Sequence, residues 1–89
     1  MITLLTVRFK ASFIRRLKAL DESLQEESIE KIELLKNTDN HRLLKVHKLH
    51  GPLAGCLSFS VNYKTRIVFE YVSKTEVVLL SIGDHDVYQ

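Results

Sequence analysis

The apolar positions of this chain change period twice. Residues 2–9, "ITLLTVRF", are β-branched and apolar without a breaker and predict a strand. From Lys10 the spacing turns helical: Phe13, Ile14, Leu17 and Leu20 recur with Arg15, Arg16 and Lys18 between them. Asp21 interrupts the pattern. Ser23 followed by Glu26 fits a capping box that opens a second helix. Its apolar residues are Leu24, Ile29, Ile32, Leu34 and Leu35, its other face is mostly Glu and Lys, and "NTDN", 37–40, ends it in turn formers.

Residues 41–55 contain "GPLAG" and predict loop, with a short extended piece near 44–48. Three strand patterns follow. "CLSFSVN" alternates Leu57, Phe59 and Val61 against Ser58, Ser60 and Asn62. "RIVFEYV" alternates Ile67, Phe69 and Tyr71 against Arg66, Val68, Glu70 and Val72. "SKTE" is a turn, and "VVLLSIG" is apolar on both faces, as in a central strand covered on both sides. The order strand, helix, helix, three strands predicts an α+β fold. Two helices would bury their stripes on one face of a small antiparallel sheet. The opposite face would carry Ser58, Ser60, Asn62 and Arg66.

Length and composition add limits. The 89 residues make a single domain, 1–89, with ordinary apolar (45%) and charged (27%) content. No apolar run approaches the roughly 18 residues of a membrane span. The N-terminal residues lack the basic leader and small-residue cleavage site of a signal peptide. Cys56 stands alone, so no disulfide framework forms within the chain, which fits a reducing cytoplasm.

The net charge of +2 hides a segregation: seven of the eleven carboxylates lie between Asp21 and Asp39, and none between His41 and Phe69. That second stretch holds Arg42, Lys45, Lys48, Lys64, Arg66 and three histidines. A one-sign region of this length is an electrostatic footprint for a polyanion or a solvated loop balanced by the acidic helix. The spacing His47-x-x-His50, without CxxC or HExxH, makes no metal site. In a strand-like run, Cys56 reads as a small apolar residue rather than a nucleophile.

Three segments carry a likeness: "KVHKLHGPLAG" (45–55), "YKTRIVFEY" (63–71) and "LLSIGDHDVY" (79–88). In order and spacing they resemble the RelE/ParE superfamily of toxins from toxin–antitoxin modules. The matching patterns are a His/Lys-Leu-x-Gly segment, a strand opening on Tyr-x-x-Arg and a terminal Gly-x-His-x-x-Tyr. The terminal element is most similar to that of YafQ-like mRNA interferases.

The resemblance implies cofactor-free, metal-independent cleavage of mRNA on the ribosome, and a cognate antitoxin that wraps the toxin. It implies that Arg66 stabilises the phosphorane, that His85 transfers a proton with Asp84 or Asp86 beside it, and that Tyr88 stacks on a base or hydrogen-bonds near the scissile phosphate. His47 would be a second proton-transfer group, and Lys45, Lys48 and Lys64 phosphate contacts. The paired lysines that RelE-type enzymes carry on the strand matching 56–61 are missing here, which shifts proton transfer onto histidines. Two other readings stay open: a ParE-like gyrase inhibitor without nuclease activity, and an inactive toxin that only binds its antitoxin. An ion pair of Arg66 with Glu70 or Glu76 is the structural alternative for that arginine. The basic stretch and the His85 region are expected to form one concave face around Arg66.

Overall fold

The two helical patterns become α1, Ala11–Ala19, and α2, Glu22–Leu35, in a computed structural model that describes residues 3–84. The cap of α2 differs from the expected Ser23–Glu26 box. Asp21 is extended, and its carboxylate accepts from Leu24 N at 2.8 Å. A carboxylate at this position both satisfies an orphan N–H and complements the helix dipole, so Asp21 supplies the cap two residues earlier. The Gln25 amide donates to Lys18 O and Leu20 O, tying the end of α1 to the start of α2. At the other end of α2, Asn40 Nδ2 donates to Leu34 O and His41 Nε2 to Leu35 O, each at 2.9 Å. Side chains from the turn after the helix thus close carbonyls that the helix leaves open.

The inward stripe of α2 runs Leu24, Ser28, Ile32, Leu35. Helical geometry carries position 28 inward whatever residue occupies it. Ile29, placed on the apolar side by residue type, is instead 50% exposed.

Five strands form one sheet: β1 Thr6–Phe9, β2 His47–Lys48, β3 Leu57–Ser60, β4 Arg66–Ser73 and β5 Glu76–Gly83. Their order is β1-β5-β4-β3-β2. The α+β class with two helices on the sheet holds. The sheet itself is mixed: β2 to β5 are antiparallel neighbours, while β1 runs parallel to β5 from Thr6↔Glu76 to Phe9↔Leu79. The extended piece expected near 44–48 contributes only the two residues of β2.

As its double-sided pattern indicates, β5 is interior to the sheet. Its register against β4 slips twice: Val72 is an extra residue on β4 between the pairs Tyr71–Val77 and Ser73–Glu76, and Leu80 is one on β5, since Val68 pairs with Ser81 but Phe69 with Leu79. The bulge at Leu80 resets the alternation. Leu79 and Ile82, three apart and nominally on opposite faces, are therefore both buried in the core with Val77. Phe59 and Phe69 meet there edge-on, their centroids 5.7 Å apart. Tyr71, assigned to the same face, sits at its rim and is 40% exposed. The opposite sheet face is not bare: Ser58 and Val68, paired across β3 and β4, are both buried.

Candidate functional site

Cross-strand partners share a face of a sheet. His47 pairs with Ser58, Ser58 with Val68, and Val68 with Ser81, so one row crosses four strands away from the helices. A second row runs Ser60, Arg66, Gly83. His47 and Arg66 therefore lie on the same face, on the two strands that flank β3, offset by two residues. Strand spacing puts their Cα atoms roughly 12 Å apart. The β3 residues between them are serines: Ser58, fully buried, pairs with His47, and Ser60, half-buried, pairs with Arg66.

The His47 ring is fixed at both nitrogens. Nδ1 lies 2.9 Å from Lys45 O, and Nε2 lies 3.4 Å from Ser58 Oγ. A carbonyl oxygen only accepts, so Nδ1 carries the proton. In the neutral ring Nε2 then holds the lone pair, towards which the serine hydroxyl can donate. The carbonyl that sets this tautomer belongs to a residue in the left-handed region: Lys45 has φ 58°. Non-glycine residues rarely occupy it, and such strain clusters at functional sites.

Arg66 heads β4, and its Nη1 donates to the carbonyls of Asn62 (2.7 Å), Tyr63 (3.2 Å) and Thr65 (3.3 Å). The ion pair considered for it is not the contact found, and Glu76 instead pairs with Arg8. The β3–β4 turn that holds Arg66 is organised by Asn62, which residue-type reasoning left as an ordinary strand-face polar residue. Asn62 Oδ1 accepts from Lys64 N (2.9 Å) and Thr65 N (2.8 Å), and Nδ2 donates to Glu27 Oε1 (2.7 Å). One side chain shapes the turn and pins it to α2. The readable signal was the Asx-turn preference of an asparagine leaving a strand.

The expected single basic face divides. Lys45 and Arg66 line one cavity with Lys31. Lys64 lines another with Asp21 and Glu27, and Lys48 a third with His50 and Cys56. Alternation sends Lys48 to the other side of β2 from His47, and the turn separates Lys64 from Arg66. His85 and Tyr88 lie outside the described residues. The last pair of the sheet is Arg66–Gly83, so β5 ends beside the arginine.

Burial pushes the Cys56 thiol above its ordinary range, and the charge of Glu70 adds to the shift. This thiol is protonated at neutral pH, which disfavours a nucleophilic role. Among the described residues no group of three or more His, Cys, Asp or Glu side chains is placed to hold a metal ion. No described helix is long and apolar enough to cross a membrane.

The fold recurs in solved structures. A chain of the RelBE2 toxin–antitoxin complex from Mycobacterium tuberculosis superposes with a TM-score of 0.76 at 24% identity, over 93% of this chain and 100% of that one. The chain has the RelE fold. A chain of the YoeB–YefM toxin–antitoxin complex from Staphylococcus aureus gives 0.67 at 22% identity, over 91% and 97%. YafQ from E. coli gives 0.72 at 12% identity, over 93% and 96%. Both measures are higher for the RelBE2 chain than for YafQ, so the RelE fold here does not single out the subgroup that the terminal motif resembles. No protein-family model and no curated protein matches the sequence.

Proposed function

We propose that this chain is the toxin of a toxin–antitoxin pair and cleaves mRNA on the ribosome without a metal ion or other cofactor. The observation that carries the reading is the tautomer-fixed His47 standing across a serine-lined strand from Arg66. The fold and the sequence motifs support it independently. In the proposed step His47 Nε2 removes the proton of a ribose 2′-hydroxyl, and the oxygen attacks the adjacent phosphorus. Arg66 stabilises the charge on the phosphorane with a planar fork of donors. The bond to the leaving 5′-oxygen breaks as an acid, assigned to His85, protonates it. The products are a 2′,3′-cyclic phosphate and a 5′-hydroxyl. Tyr88 stacks on a base of the bound message, and Lys45, Lys48 and Lys64 contact phosphates from three directions. The protein would act in the cytoplasm, and a cognate antitoxin encoded beside it would neutralise it.

The test is a translating-ribosome assay read by primer extension of the message. Discrete cleavage in the ribosomal A site, yielding cyclic-phosphate ends, is the expected result. Intact message together with inhibition of DNA gyrase would replace this reading with the ParE-like one. Intact message with no inhibition, but tight antitoxin binding, would leave an inactive toxin.

A further inference from the structure

Between the second half of α2, the bend at 43–45 and the β3–β4 turn lies a cavity of about 630 Å³. Its apolar lining comes from Leu34, Leu43, Leu44 and Val61, and Lys31, Lys45 and Arg66 bring three cations against the single carboxylate of Glu30. Leu43 and Tyr63 border it and are 71% and 89% exposed. Neither contributes to the core. The backbone at Tyr63 is nevertheless clamped, since its carbonyl accepts from Arg66 and the turn around it is closed by Asn62. A bare aromatic residue on a braced turn thus borders a cavity with a cationic rim, as well as the neighbouring cavity that Lys64 lines. The left-handed backbone of Lys45 sits on the same rim.

We infer that this cavity receives one unpaired base of single-stranded RNA, next to the nucleotide whose phosphate Arg66 engages. Tyr63 stacks on the face of that base, and Lys31 and Lys45 take its phosphate. The inference rests on the nuclease reading and adds a subsite to it. A nucleotide matches each part of the site: a flat apolar face for the ring and the leucines, an anion for the rim, and a size within the range of small-ligand pockets. Charge favours RNA over an acidic or apolar peptide only through that combination, since a peptide anchor would use the leucines and leave Tyr63 dispensable. Stacking of one base on an aromatic side chain contributes roughly 5- to 150-fold in affinity.

The test uses the full chain and a short RNA blocked against cleavage by 2′-O-methyl groups, with 2-aminopurine at successive positions. Quenching at one position by the native protein and by Tyr63→Phe is expected. Tyr63→Ala should bind roughly 5- to 150-fold more weakly, without quenching and with unchanged thermal unfolding. Equal affinity of Tyr63→Ala and the native chain overturns the subsite, as does a loss confined to antitoxin binding. Failure of the native chain to bind this RNA while it still cuts message on ribosomes also overturns the subsite alone. Failure of both binding and cutting removes the nuclease reading with it.

Discussion

The carbonyl of Lys45 lies 2.9 Å from Nδ1 of His47, and that contact decides which nitrogen of the imidazole can take a proton. Because the oxygen only accepts, the ring presents Nε2 as its basic atom on the face shared with Arg66. The contact survives protonation, since both nitrogens of the imidazolium donate. A residue that cycles between base and conjugate acid needs such a mount.

His47→Ala should therefore lower single-turnover cleavage by about 10²–10⁴-fold, the usual contribution of a positioned proton-transfer group. Because the ring lies on an exposed edge strand, its removal should leave the denaturation midpoint in place. Cleavage by His47→Ala within a few-fold of the native rate would remove His47 from the mechanism.

The side chain of Arg66 is held by turn carbonyls, so its charge and its shape can be tested separately. Arg66→Ala should cost about 10²–10³-fold in rate, as expected for loss of one oriented electrostatic donor. Arg66→Lys keeps the charge but lacks the planar fork that meets both carbonyls and phosphate. It should recover only part of the loss, measured as kcat at saturating ribosomes. Full recovery by lysine would mean that a point charge suffices.

Asn62 offers a way to perturb the site without touching it. Asn62→Ala removes the acceptor for two turn N–H groups and the donor to Glu27. Breaking these bonds, of which those to Thr65 and Glu27 are part-buried, should lower stability by about 1–3 kcal/mol in chemical denaturation. Asn62→Asp keeps the turn acceptor but sets a carboxylate against Glu27, and adding Glu27→Gln should relieve that repulsion. A double variant no more stable than Asn62→Asp would show that the Glu27 contact contributes nothing.

Much of this architecture was legible in one sequence because alternation and helical spacing are strong signals where one face is buried. Phe59, Val61, Ile67 and Phe69 fall where their spacing places them, and α2 ends at the turn formers that follow it. What escaped depends on pairing rather than pattern. The extra residue at Leu80 exists only relative to β4, and the parallel contact of β1 only relative to β5. The left-handed backbone at Lys45 is not advertised by a glycine or asparagine. For the site, the motifs marked His47 and Arg66, but their shared face required the register of β3. The separation of Lys48 and Lys64 from them followed from strand alternation and one turn.

Ser28 is a polar residue that the helical stripe forces into the core. It is fully buried, and its hydroxyl has no hydrogen-bond partner among the described residues. An unsatisfied buried hydroxyl costs about 1–3 kcal/mol of desolvation, and alanine is the better helix former. Ser28→Ala should therefore raise stability by about 1 kcal/mol in urea unfolding with an unchanged m-value. A loss of stability would mean that the hydroxyl finds a partner in solution.

The raised thiol of Cys56 makes a prediction in pH. Burial is the larger cause and the charge of Glu70 the smaller. Since the thiolate is the reactive form, alkylation of the native protein should follow a titration curve displaced upward from that of the denatured chain. Glu70→Gln should move the curve down only part of the way, leaving the share due to burial. The same displacement links to folding. Between the two thiol pKa values the unfolded chain has lost its proton while the folded chain keeps it. The contribution of Cys56 to stability is thus intact below the unfolded value and declines as pH rises through it towards the folded one. Cys56→Ala should remove this alkaline decline from a plot of unfolding free energy against pH. Coincident alkylation curves for folded and denatured protein would show that the thiol is neither desolvated nor sensitive to Glu70.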